Sequence, residues 1–182
     1  MHVNSKFLGV LGGMGPLATA DFLKKLVENT PGKTDQDHIP IILYGDSSIP
    51  DRTMSIEGVG PSPLPLLLRG IKHLVSAGVG AICIPCNSAH FWFKELQQES
   101  VVPILHIVDA SILQLKSKRI DVRKIGVMST YGTYRSRVYA DALEKAGYTV
   151  IEPFQSDFDN LLMPGILCVK ANELKTSEAL FM

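Results

Sequence analysis

Three features of this sequence could do chemistry: a cysteine, a glycine-rich turn and an arginine in a long loop. Cys86 follows the apolar run Ala81-Ile82-Cys83-Ile84 and precedes Asn87-Ser88-Ala89-His90. A short apolar run reads as a buried strand. Cys86 therefore falls at a strand's carboxyl end, near the start of the next helix. A helix start favours the thiolate, and a thiolate serves as a proton-transfer base or a nucleophile. Asn87 and Ser88 are good caps and offer hydrogen bonds to a ligand carboxylate. The plainer reading of a strand-end cysteine is a small core residue. Cys83 takes that plainer reading, because it lies inside the run. The two spell C-x-x-C, but no second pair completes a zinc site, and no metal is expected.

Gly12-Gly13-Met14-Gly15 follows an expected strand over 6–11 and opens a helix over 17–28, with Pro16 in its first turn. Backbone N–H groups at a helix start favour an anion, and glycine admits a ligand closely. The run matches neither dinucleotide-binding nor P-loop order, so a carboxylate or small phosphate fits better than a nucleotide. A tight turn without ligand is the alternative. Arg52 stands in a long loop over 45–63 that carries Pro50, Pro61 and Pro63. Taken alone, it reads as an exposed loop charge.

These residues need a scaffold. Further strands are expected over 39–44, 80–84 and 104–107. Helices are expected over 64–75, 88–98 and 109–118. In the helix over 17–28, Leu17, Ala20, Leu23, Leu26 and Val27 share one face. Alternating strands and helices predict an α/β fold, with a parallel sheet, right-handed crossovers and helices on both faces. Ligands then bind outside the carboxyl ends of the strands. That puts the loops 12–15, 45–48 and 85–88 on one rim.

A second unit follows, with a strand over 124–128, a polar glycine loop over 129–133, a helix over 134–146 stopped by Gly147, and a strand at 150–151. Helical segments interrupted by Pro164-Gly165 fill 155–182. The run from Gly9 to Gly15 aligns with the run from Gly126 to Gly132, and Phe22 with Tyr139. A strand–loop–helix start that occurs twice predicts two related half-molecules.

Composition narrows the function. The 18 Lys and Arg balance 18 Asp and Glu, which argues against a nucleic-acid surface. The longest apolar runs are too short for a bilayer, and the amino-terminal residues lack a signal-peptide core. Three cysteines without a disulfide-scaffold spacing predict reduced thiols and a cytoplasmic protein.

Four motifs carry a resemblance: Leu11-Gly12-Gly13-Met14-Gly15-Pro16, Ile49-Pro50-Asp51-Arg52-Thr53, Pro85-Cys86-Asn87-Ser88-Ala89-His90 and Thr130-Tyr131-Gly132-Thr133. In this order, across residues 6–175, they resemble the aspartate/glutamate racemase family, most closely its aspartate racemases. The resemblance implies two similar three-layer parallel-sheet domains facing across a cleft. Here they would be 1–118, carrying Cys86, and 119–182, which would be incomplete. It also implies a homodimer and racemisation of a small acidic amino acid without pyridoxal phosphate or any other cofactor.

Inverting a stereocentre without a cofactor takes a proton from one face and returns one to the other, so the family uses two cysteines. Cys86 matches one. Arg52 matches the family's cation for the side-chain carboxylate, which a guanidinium can grip bidentately. Lys170 matches a lysine with the same duty. Gly13, Met14, Asn87, Ser88, Thr130, Gly132 and Thr133 match the substrate-binding loops, whose donors stabilise charge as the carbanion forms. Ser88 stands where the family usually has threonine and keeps the hydroxyl. The repeat puts the counterpart of Cys86 beyond Met182, and Cys168 reads as a packed helix cysteine. Impaired racemisation is therefore expected. The alternatives are a non-catalytic protein that binds an acidic ligand or a partner, and a one-cysteine decarboxylase or isomerase.

Overall fold

The computed structural model describes residues 7–118 and 122–181. Lys6, expected to start the first strand, lies outside them. In chain order the elements are β1 (Leu8–Gly12), α1 (Pro16–Glu28), β2 (Ile41–Gly45), α2 (Arg52–Ile56), α3 (Leu64–Ser76), β3 (Ala81–Cys83), α4 (Phe93–Gln98), β4 (Ile104–Leu105) and α5 (Ile107–Ser117). Then come β5 (Lys124–Gly126), α6 (Tyr131–Arg135), α7 (Val138–Lys145), β6 (Thr149–Ile151), α8 (Gln155–Asp157), α9 (Met163–Lys170) and α10 (Leu174–Phe181). The fold is mixed α/β with parallel sheets.

The chain divides into two compact units, Met1–Pro50 with Ser62–His106, and Asp51–Pro61 with Ile107–Met182. The division expected at 118/119 thus falls after His106, and one piece of the expected long loop belongs to the second unit. That piece contains α2, whose five residues are too few for an apolar period to show.

The first unit holds a four-stranded parallel sheet in the order β2-β1-β3-β4. Its registers set Gly12 beside Gly45 and Val10 beside Cys83. The carboxyl ends of β1, β2 and β3 therefore share one edge, which carries the three loops expected there. Leu67, Ile71 and Leu74 of α3 bury against the sheet with Val10, Leu11 and Ile82. Burying such side chains contributes about 1.5–3 kcal/mol each. The face expected on α1 is not buried: Leu17 and Val27 are 41% and 50% exposed, and Thr19 is the buried residue of that helix. The expected helix over 88–98 begins as a 3₁₀ turn, Ser88–Trp92, before α4. The fourth strand stops at Leu105, and α5 starts at Ile107.

The second unit pairs β5 and β6 in parallel, with Ile125 beside Val150. Strand, helix and parallel strand occur in both units. Phe158, 1% exposed, packs between Tyr131 and Tyr134, at ring distances of 5.0 and 4.9 Å. The expected helix over 134–146 is two helices. Arg137 breaks them in the left-handed region at φ 54°, tied by its side chain to Asp141 at 2.8 Å and Glu144 at 3.1 Å. Pro164 starts a helix and does not interrupt one. The π-helical turn Phe158–Leu162 runs directly into α9, where proline's missing N–H falls in the first turn. The break comes later, at Asn172, with φ 63°.

Candidate active site

In the first unit, β3 delivers Cys86 to the carboxyl edge of the sheet, where it is half-buried. Its N–H donates to the Ile84 carbonyl at 2.8 Å, and its own carbonyl lies 2.9 Å from His90 Nδ1. Asn87 is exposed and Ser88 is 7% exposed. Asn87 precedes the 3₁₀ turn, yet its side chain does not cap that turn. Cys83 pairs with Val10 and Leu105 in the sheet. Burial pushes its thiol up to about 11, as suits a packing residue.

Gly13 and Met14 lie on the same edge. Gly13 has φ +92°, and a Cβ on it would come within 2.5 Å of the Asp46 backbone, so only glycine fits. Its N–H donates to the Thr19 hydroxyl at 2.9 Å, and that hydroxyl donates to the Gly15 carbonyl at 3.0 Å. The glycine turn is thus tied to the first turns of α1, and the Gly13 donor is taken. Met14 is 5% exposed. Beside the turn, Asp46 accepts from the Ser48 hydroxyl and N–H and from Arg69 at 2.9 Å. These bonds, those from Ser48 first, hold its carboxyl below the ordinary value.

In the second unit, Arg52 opens α2 and is 9% exposed, so it is not the exposed loop charge that the residue alone suggests. Asp51 caps α2 by accepting the Met54 N–H at 3.0 Å, and Lys170 Nζ stands 3.5 Å from its other oxygen. Burial alone would raise the Asp51 carboxyl. The Met54 N–H, Lys170 and Arg52 outweigh it and hold the group below its ordinary value. Two cations thus act on one carboxylate.

Thr130, Gly132 and Thr133 build α6, which packs on α2. Thr130 caps the helix through the Thr133 N–H at 3.3 Å, and its hydroxyl lies 3.2 Å from the Thr133 hydroxyl. Thr133 is 2% exposed. Cys168 is half-buried in α9, two residues before Lys170. The structure thus gathers Gly13, Met14, Cys86, Asn87 and Ser88 in the first unit, and Arg52, Thr130, Gly132, Thr133 and Lys170 in the second.

Sequence reasoning missed Thr19, Asp51 and the bond from His90. Asp51 carried a signal, an aspartate just before a helix start. Thr19 carried a fainter one, a polar residue at a position that packs on the sheet. Among the described residues no cluster of three His, Cys, Asp or Glu could hold a metal, and no helix is long and apolar enough to cross a membrane.

Residues 11–181 match the profile of the Asp/Glu/hydantoin racemase family. The chain is 29% identical over 150 residues to the broad specificity amino-acid racemase RacX of Bacillus subtilis strain 168, covering 79% of this chain and 63% of that protein. It therefore spans less than two thirds of that relative's length. Aspartate racemase from Picrophilus torridus superposes with a TM-score of 0.84 at 34% identity, over 96% of this chain and 72% of that one. An aspartate racemase homologue from Pyrococcus horikoshii OT3 superposes with a TM-score of 0.70 at 25% identity, over 88% and 70%.

Proposed function

The chain belongs to the Asp/Glu/hydantoin racemase family, and we propose that it acts at the α-carbon of an acidic amino acid, aspartate or glutamate, by thiol chemistry without pyridoxal phosphate. The observation that carries this reading is Cys86, half-buried at the carboxyl end of β3 on the edge that also holds the Gly13 turn. Its thiolate takes the α-proton, and its thiol returns one to the same face. The α-proton is weakly acidic, so hydrogen-bond donors must stabilise the carboxylate as negative charge spreads into it. By the family resemblance that role falls to the loops holding Gly13, Met14, Asn87, Ser88, Thr130, Gly132 and Thr133, through donors other than the Gly13 N–H, which Thr19 holds. Arg52 and Lys170 bind the side-chain carboxylate, with Asp51 keeping Lys170 in place until substrate arrives.

Inversion needs a proton-transfer group for each face. Cys83 is held in the sheet and Cys168 sits within α9, so Cys86 is the one thiol assigned to the chemistry. Proton exchange with retention is then faster than racemisation. Losing one positioned acid or base costs about 10²–10⁴-fold in rate.

Incubation in D₂O with each enantiomer of aspartate and of glutamate, followed by chiral chromatography and mass spectrometry, tests this. The expected result is deuterium at the α-carbon of one enantiomer, slow inversion, and loss of both in Cys86→Ala. Neither exchange nor inversion, with the amino acid still bound, would favour a second reading, a non-catalytic binder of acidic ligands. That reading is favoured by the pairing of Arg52 and Lys170 around Asp51 within the second unit, which does not involve Cys86.

A further inference from the structure

The reaction above leaves a buried imidazole beside the thiol loop without a task. His90 is 3% exposed, and its Nδ1 lies 2.9 Å from the carbonyl oxygen of Cys86. A carbonyl only accepts, so Nδ1 must carry the hydrogen. The N–H of Cys86 is engaged as well, on the Ile84 carbonyl at 2.8 Å. The main chain of Cys86 is thus held on both sides, by the residue that follows β3 and by the turn it enters.

The His90 ring is itself fixed. His106 meets it edge-on, at 5.0 Å between centroids and 77° between planes. Phe93 lies parallel to it at 6.2 Å and 10°, and meets His106 edge-on at 4.5 Å. These three rings come from the 3₁₀ turn, from α4 and from the residue after Leu105 of β4, all in the first unit. A ring that only filled space would need no fixed tautomer. This one presents a donor to the residue that bears the thiol.

We propose that His90 is a positioning residue: its Nδ1–H holds the Cys86 carbonyl and thereby sets the direction of the thiol. The proposal rests on the reading of Cys86 as the proton-transfer group. Proton transfer requires heavy atoms within about 2.6–3.2 Å, so a thiol free to swing spends little time in reach.

Two measurements test it. The first uses the whole chain labelled with ¹⁵N-histidine, with long-range ¹H–¹⁵N correlation spectra and His90→Asn to assign the signal. The expected ring bears its hydrogen on Nδ1. A neutral ring protonated on Nε2 and bare on Nδ1 overturns the proposal. The second compares α-proton exchange of aspartate in the wild type, His90→Ala and His90→Asn, since an asparagine amide nitrogen reaches close to the place of Nδ1. In His90→Ala kcat falls about 10²-fold, the cost of a misplacement near 1 Å, while KM stays within about twofold. His90→Asn recovers most of that loss. Equal loss of kcat in both variants, or a loss confined to KM, overturns the proposal. If the wild type exchanges nothing, the racemase reading falls, and the spectra alone support or overturn the hydrogen bond to Cys86.

Discussion

Gly132 of α6 lies so close to Thr53 of α2 that a Cβ on the glycine would stand 2.9 Å from the threonine Cα and 2.7 Å from its hydroxyl oxygen. The Cα belongs to the main chain, so no rotamer change relieves the clash. Gly132→Ala should therefore destabilise the protein by about 1–3 kcal/mol, the usual cost of overpacking. Urea unfolding reads this directly. The double variant with Thr53→Ala should recover little, because the main chain of residue 53 still stands in the way.

Thr19 accepts the Gly13 N–H and donates to the Gly15 carbonyl. Thr19→Val keeps the shape and removes the hydroxyl, leaving the Gly13 N–H without its acceptor at a residue 5% exposed, while the Gly15 carbonyl still accepts the Thr19 N–H at 3.1 Å. The expected loss is about 1–3 kcal/mol per buried unsatisfied group. Thr19→Ser retains the hydroxyl and should lose much less. Equal loss in both, measured by chemical denaturation, would mean that the methyl group and not the hydroxyl matters.

Asp51 gives a dependence on pH with a definite sign. Its folded-state pKa is lowered, so its contribution is present above the ordinary carboxylate value and is lost as pH falls through the folded one. Asp51→Asn keeps a good cap on α2 but removes the charge that Lys170 and Arg52 face. Stability curves taken from about pH 5 down to about pH 2 should fall less steeply for the variant than for the wild type. Parallel curves would show that the charge adds nothing.

Arg52 should decide affinity for the side-chain carboxylate. Arg52→Ala is expected to weaken aspartate binding by roughly 1.5–3 kcal/mol, the scale of a hydrogen bond to a charged group. Arg52→Lys keeps the charge without the planar fork and should fall between the two. The amino acid alanine, which lacks that carboxylate, should bind equally weakly to all three forms. Calorimetry showing unchanged aspartate affinity in Arg52→Ala would reject the role.

Much of the first unit was legible because its strands are short apolar runs closed by turn residues. Gly12, Gly45 and Pro85 mark where β1, β2 and β3 give way to loops, and the parallel order puts those loops on one edge. The second unit was harder to read. Nothing marks Arg137 as a helix break, since an arginine held left-handed by Asp141 and Glu144 replaces the usual glycine. Pro164 looked like an interruption because its place in a first turn depends on the π-helical turn before it. The apolar period of α1 was real, but period alone does not show whether a face is covered. Arg52 read as a loop charge because α2 packs on a helix that comes much later in the chain, a relation local patterns do not hold.

The passage of the chain from the first unit into the second at Asp51, back at Ser62 and over again at Ile107 matters during synthesis. At about 5–20 residues per second, α2 leaves the ribosome several seconds before its partner α6 exists. In that interval Arg52, 9% exposed in the folded protein, has no α6 beside its helix, while β1 and β2 of the first unit have already been made. The same threading governs any attempt to cut the gene in two: a break after His106 leaves 51–61 on the amino-terminal fragment, so the carboxyl-terminal fragment needs the other in the tube before α6 can pack.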